Sequence, residues 1–238
     1  MSDFAARHAV LAAGYGARDE PDDPALIQAM PIVLHLPKQD PPKRSAVLEA
    51  AAASVVALCL DERVGVDGPW ETAFRNWVDV RIRKVARRAR GAHWLAAQEI
   101  DGITVDIDGA QARALVPGPV GELDPRIKRL QVGGTDLEHD DPAERTGVPV
   151  LWVNSALDMT LGKTAAQVGH ASMLLAAAMT TDDAFEWSVR GFDCAVRQAD
   201  SHRWAKLAQE VARGAAVGVR DAGFTEVAPG SMTVVAMV

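Results

Sequence analysis

Two short apolar runs, 31–36 (PIVLHL) and 149–154 (PVLWVN), each open on proline and each lead through a loop into an alanine-rich stretch. That repeated pairing constrains the chain more than any other feature. A brief run rich in β-branched residues reads as a buried strand, and the stretches that follow, 45–60 and 163–179, read as helices. Further strands are predicted at 103–107 and 112–116 around an Asp108-Gly109 hairpin turn, near 194–196, at 216–219 and at 232–238. Shorter helices are predicted over 4–11 and 201–213. A longer one is expected over 70–98, because Val78, Ile82, Val85 and Ala89 recur at helical spacing. Strands alternating with helices predict an α/β fold, a mixed β-sheet with helices on both faces.

The acidic, turn-rich segment 133–147 (GGTDLEHDDPAERTG) reads as a linker, which divides the chain into residues 1–147 and 148–238. The two parts echo each other faintly. The run KRSAVLEAAAAS at 43–54 resembles GKTAAQVGHASM at 162–173, and Val116-Pro117-Gly118 resembles Ala228-Pro229-Gly230. Alanine-rich helices match by chance, and that is the favoured explanation. The alternative is that the N-terminal α/β part is a degenerate copy of the C-terminal one.

Composition excludes several classes. A net charge of −7 opposes indiscriminate nucleic-acid binding, which needs basic surface, yet permits a local basic site. The two cysteines, Cys59 and Cys194, are far apart in sequence and outside any Cys/His cluster. They are expected to be buried apolar residues rather than a disulfide or zinc site. The first residues lack a secretory pattern, and no apolar run approaches the ~18 residues of a membrane span. A soluble cytoplasmic protein without membrane contact is expected.

Two constellations carry chemistry. Gly162-Lys163-Thr164 opens the second alanine-rich helix, where unpaired N–H groups and the positive dipole end favour an anion. Gln167 and His170 share the face of Lys163. A phosphate-binding P-loop is excluded, because Leu157 stands where that motif needs glycine. The second constellation is Asp221-Ala222-Gly223-Phe224-Thr225, at the end of an apolar strand, where α/β proteins place their sites. Taken alone, it reads as a turn with Asp221 in an Asx-type role.

Together these phrases resemble a known family. DAGFTEVAPGSMTVV is similar to the D-A-G-x-T-x-(I/V)-x-P-G-(S/T) signature of the archaeal and eukaryotic type of peptidyl-tRNA hydrolase. GKTAAQVGHAS is similar to the helix opening G-K-x-A-A-Q-x-x-H of that family. The resemblance covers residues 148–238. It implies metal-independent and cofactor-free hydrolysis of the ester between peptide and tRNA. Lys163, Asp221 and Thr225 would be catalytic with His170 assisting, and Gly162, Thr164 and Gln167 would bind substrate. The chain departs from the family pattern at Ala156, usually acidic, at Leu161, usually lysine, at Asp158, commonly basic, and at Phe224, frequently arginine.

Residues 75–90 hold Arg75, Arg81, Arg83, Lys84, Arg87, Arg88 and Arg90 against a single acid, Asp79. The ordinary explanation is a solvated helix face. The sharper one makes Arg81, Lys84 and Arg88 part of a basic surface that follows an RNA backbone. The partners expected are peptidyl-tRNA or another RNA, with either a homodimer or an internal pseudo-dimer. The competing functions are a non-catalytic RNA-binding or ribosome-associated module and a hydrolase for another ester or amide.

Overall fold

A computed structural model describes residues 2–133, 136–223 and 226–238. In chain order its elements are α1 (Ser2–Ala12), β1 (Gln28–His35), α2 (Arg44–Leu60), α3 (Glu71–Val78), β2 (Lys84–Ala89), α4 (Ala92–Gln98), β3 (Gly102–Ile107), β4 (Ala110–Leu115), β5 (Gly118–Pro119) and α5 (Pro125–Lys128). The second part adds β6 (Val150–Asn154), α6 (Leu161–Ala178), α7 (Thr181–Val189), β7 (Ala195–Ala199), α8 (Ser201–Ala212), β8 (Val217–Arg220) and β9 (Met232–Met237).

Two mixed sheets result. The first runs β2-β1-β4-β3, with β5 also paired to β1, and the second runs β7-β6-β9-β8. In each, the leading strand pairs parallel with the strand that follows the long helix and antiparallel with the last strand of the hairpin. The two halves therefore share strand order and sense. The α/β class with helices on both faces is observed. On one side the sheets pack against α2 and α6; on the other, Trp94 and Ala97 of α4 with Ile127 of α5 cover the first sheet, and Leu207 of α8 the second.

The core explains why both long helices are so rich in alanine. Nearly every residue of α2 is buried, so it has no solvent face to keep polar. It lies against α6, and small side chains let the backbones approach. Ser172 Oγ donates to the Ala52 carbonyl at 2.7 Å. A Cβ added to Gly169 would stand 2.9 Å from Val55 Cγ2. One cluster of buried side chains, from Ile32 and Val55 to Val168 and Val234, runs through both halves.

Two expectations need correction, and one helix is additional. The helix over 70–98 is in fact α3, then β2, then α4. Burial at Ile82, Lys84 and Ala86 follows a period of two, and pairing with β1 outweighs the helical spacing that the same run also offers. The basic helix face therefore does not exist. The glycine-proline echo is also misplaced, since Pro117-Gly118 follows β4 whereas Pro229-Gly230 precedes β9. The counterpart of the 221–231 segment is the tight Asp108-Gly109 turn, whose φ values of 51° and 82° fit a type I′ hairpin. Finally, α7 was not foreseen, although Thr180 caps it by accepting from Asp183 N at 3.2 Å.

The described part of the 133–147 segment, residue 133 with 136–147, has no helix or strand, yet it is tied down. Asp136 pairs with Arg44, Asp140 accepts from Ser45 N at 2.9 Å, and Arg145 pairs with Asp193. Asp140 thereby supplies the cap at the start of α2 that Lys43 cannot.

Candidate active site

The start of α6 is fixed by Thr160, whose hydroxyl accepts from Lys163 N at 3.2 Å. Glu226, beyond β8, receives both Thr160 N and Thr160 Oγ1 at 3.0 Å. This clamps the segment after β8 to the opening of α6, across 66 positions of sequence.

That clamp brings the two constellations together. Lys163 Nζ is 2.5 Å from Asp221 Oδ2, and Gln167 Nε2 donates to the same oxygen at 2.8 Å. Asp221 Oδ1 accepts from Gly223 N at 2.7 Å. Gly223 is required here, because φ is +80° and a Cβ would stand 2.4 Å from Pro229 Cγ. Behind Gln167, Thr233 Oγ1 lies 2.5 Å from Oε1, so the amide is held at both ends. Each Asp221 oxygen thus has at least one donor, as a buried carboxylate requires. The side chains of Lys163 and Asp221 are 9% and 8% exposed.

One turn beyond Gln167, partly buried His170 meets the first half of the chain through Lys84, whose Nζ is 3.2 Å from His170 Nδ1. His170 is held well below its usual imidazole range, first by burial and then by the positive charges of Lys84 and Lys163. It is therefore neutral near pH 7. Burial brings Lys84 down to about 7.

The other expected residues divide. Gly162 sits under the first half, since a Cβ there would be 3.2 Å from the Val132 carbonyl. Thr164 is buried and its hydroxyl turns back to the Thr160 carbonyl at 2.9 Å, so it braces the helix start rather than facing a ligand. Lys84 is buried and does not join a solvent-facing basic surface, because it is an inward position of β2. Arg88 lies on the same edge strand and is bonded to Gln131 by its guanidinium and, at 2.9 Å, by its backbone N–H. Arg81 is exposed in the loop before β2, with its backbone N–H on Glu20 at 3.0 Å. Thr225, like Phe224, lies outside the described residues. Both cysteines are buried, as expected, and burial pushes the Cys59 thiol up to about 12.

Thr233 escaped the sequence reading. Its signal was a lone hydroxyl in the otherwise apolar strand MTVVAM. Two cavities are lined in part by the second half of the chain. One of about 1010 Å³ lies between the 139–145 segment, β7 and Arg203 of α8, and one of about 430 Å³ reaches from Arg44 and Ser155 to Thr164, beside Lys163. Neither is lined by Lys163 or Asp221.

Among the described residues, no helix is long and apolar enough to cross a membrane. No curated protein matches the chain. Residues 148–238, from just before β6 to the last residue, match the model of the family Peptidyl-tRNA hydrolase PTH2, and the C-terminal part of the chain carries a domain of that family.

Proposed function

We propose that the protein hydrolyses the ester between peptide and tRNA, and that residues 148–238 perform the reaction. The observation that carries this reading is the contact of Lys163 with Asp221, which joins the two stretches similar to the family's signature. A water held by the Asp221 carboxylate attacks the ester carbonyl carbon and gives its proton to that carboxylate. Lys163 stabilises the negative charge that develops on the carbonyl oxygen. The bond to the 3′ oxygen of the ribose then breaks, and that oxygen takes the proton. The products are a free peptide carboxylate and a tRNA with a free 3′ hydroxyl.

In this scheme Gln167 and Thr233 orient Asp221 without touching substrate. The first half acts as a built-in partner for α6. Its shared strand order supports descent from a duplicated domain, one that has lost the segment equivalent to 221–231.

The test is turnover of a model peptidyl-tRNA. Lys163→Ala and Asp221→Ala are each expected to lower kcat/KM by about 10²-fold or more, the usual scale for an oxyanion or general-base contribution. A second reading, a module that binds RNA without turnover, is favoured by the burial of the Lys163–Asp221 pair. Salt-sensitive tRNA binding by a protein with no turnover establishes it instead.

A further inference from the structure

Lys84 is an unusual lysine. It is 8% exposed, and among the described residues it has no carboxylate partner. Buried lysines are ordinarily paired, or lead their ammonium out to water. This one reaches across from β2 to the flank of α6. Its Nζ lies 3.2 Å from His170 Nδ1, 3.4 Å from Met173 Sδ and 4.7 Å from the centroid of the Trp77 ring. A nitrogen lone pair, a thioether and an aromatic face are all soft acceptors for a cation. Space is left for the stem by Gly169, where a Cβ would stand 3.4 Å from Lys84 Cδ.

The titratable groups around the pair come from several elements. Lys163 of α6 acts on His170, with Asp221 beyond it after β8, and the Cys59 thiol of α2 acts on Lys84. None of them supplies a carboxylate to Lys84 directly. An ammonium has three donors and no acceptor. The imidazole nitrogen facing it is therefore the one with the lone pair, and the ring proton sits on Nε2.

We propose that Lys84 is a positioning residue of the C-terminal site: by donating to Nδ1 it holds His170 as the Nε2–H tautomer, so the first half of the chain completes the site built on the second. His170 then presents one N–H, two turns along the helix from Lys163, to an oxygen of the bound ester or its ribose. The part played in turnover rests on the hydrolase reading above. The tautomer does not.

The experiment uses the full chain with ¹⁵N-labelled histidine and long-range ¹H–¹⁵N correlation spectra at pH 6.5, where Lys84 is mostly an ammonium and His170 is still neutral. Wild type is expected to show His170 as Nε2–H. In Lys84→Met the two tautomers mix, and the midpoint of the His170 titration rises because a positive neighbour has gone. A wild-type spectrum showing Nδ1–H overturns the proposal, and this needs no variant to fold. An unchanged tautomer in a folded Lys84→Met protein overturns it too. With peptidyl-tRNA, Lys84→Met is expected to lower kcat about 10-fold with KM little changed and to displace the acid limb of the pH–rate profile. A changed tautomer with unchanged kcat overturns the role in turnover. Absence of turnover in wild type defeats the hydrolase reading instead, and leaves the spectra to decide on Lys84.

Discussion

Lys84 shows how one buried amine shapes both site and stability. Its folded pKa is about 7, against an ordinary value of 10.5. Between those values the unfolded chain binds the additional proton, so stability rises with pH across that window. Below about pH 7 both states are protonated and the burden of burial is felt in full. Lys84→Met is therefore expected to stabilise the fold at pH 6–7 by roughly 3–5 kcal/mol, taking each pKa unit as about 1.4 kcal/mol. Chemical denaturation across pH should show that gain shrinking towards pH 10. His170 works in the opposite range. Its depressed pKa means the unfolded imidazole is protonated first as pH falls through about 6.5, so stability drops there. His170→Gln is expected to flatten that acid limb, as read by thermal melts between pH 5 and 7.

At the scale of elements, the most extensive packing is between α2 and α6. Their alanines, with Gly169 and Ser172, bring the helices near enough for Ser172 to bond the Ala52 carbonyl. Val55 is β-branched and stiff, so it cannot easily yield to a new side chain at position 169. Gly169→Val is expected to destabilise by about 1–3 kcal/mol, the usual cost of overpacking, less what replacing a mid-helix glycine returns. Urea denaturation measures it. The same variant displaces the Lys84 stem, so it should also shift the His170 titration. β2 shows the opposite case, where element type followed partners rather than local pattern. Its basic residues suit an edge strand: Arg87 bonds the Leu130 carbonyl at 2.8 Å and Arg88 bonds Gln131, which blunts the exposed edge.

For the whole molecule, the shared core means that neither half closes its own interior. α2 and α6 are each other's main partner, and the single large cluster of buried side chains spans both. Calorimetry of the full chain is expected to give one cooperative transition, with van't Hoff and calorimetric enthalpies in agreement. Residues 148–238 produced alone would expose the α6 face that meets α2, Lys84 would be missing, and the fragment is expected to self-associate. Two separate transitions in the full chain would contradict this arrangement.

The sequence by itself determined the α/β class, most strands and the residue types of the site. Those signals are local: period-two and period-3.6 spacing, a glycine that must adopt positive φ, and a Gly-Lys-Thr helix start. It also supplied Lys163, Gln167 and Asp221, because two motifs marked them. Only the tertiary structure decided that 84–89 is a strand, that Lys84 is buried beside His170, and that Thr233 props Gln167. Each of those outcomes depends on a partner far away in the chain: β1 for β2, α6 for Lys84, and the packing of α6 on β9 for Thr233. Spacing along a chain records which faces are apolar; it does not record which distant surface will meet them.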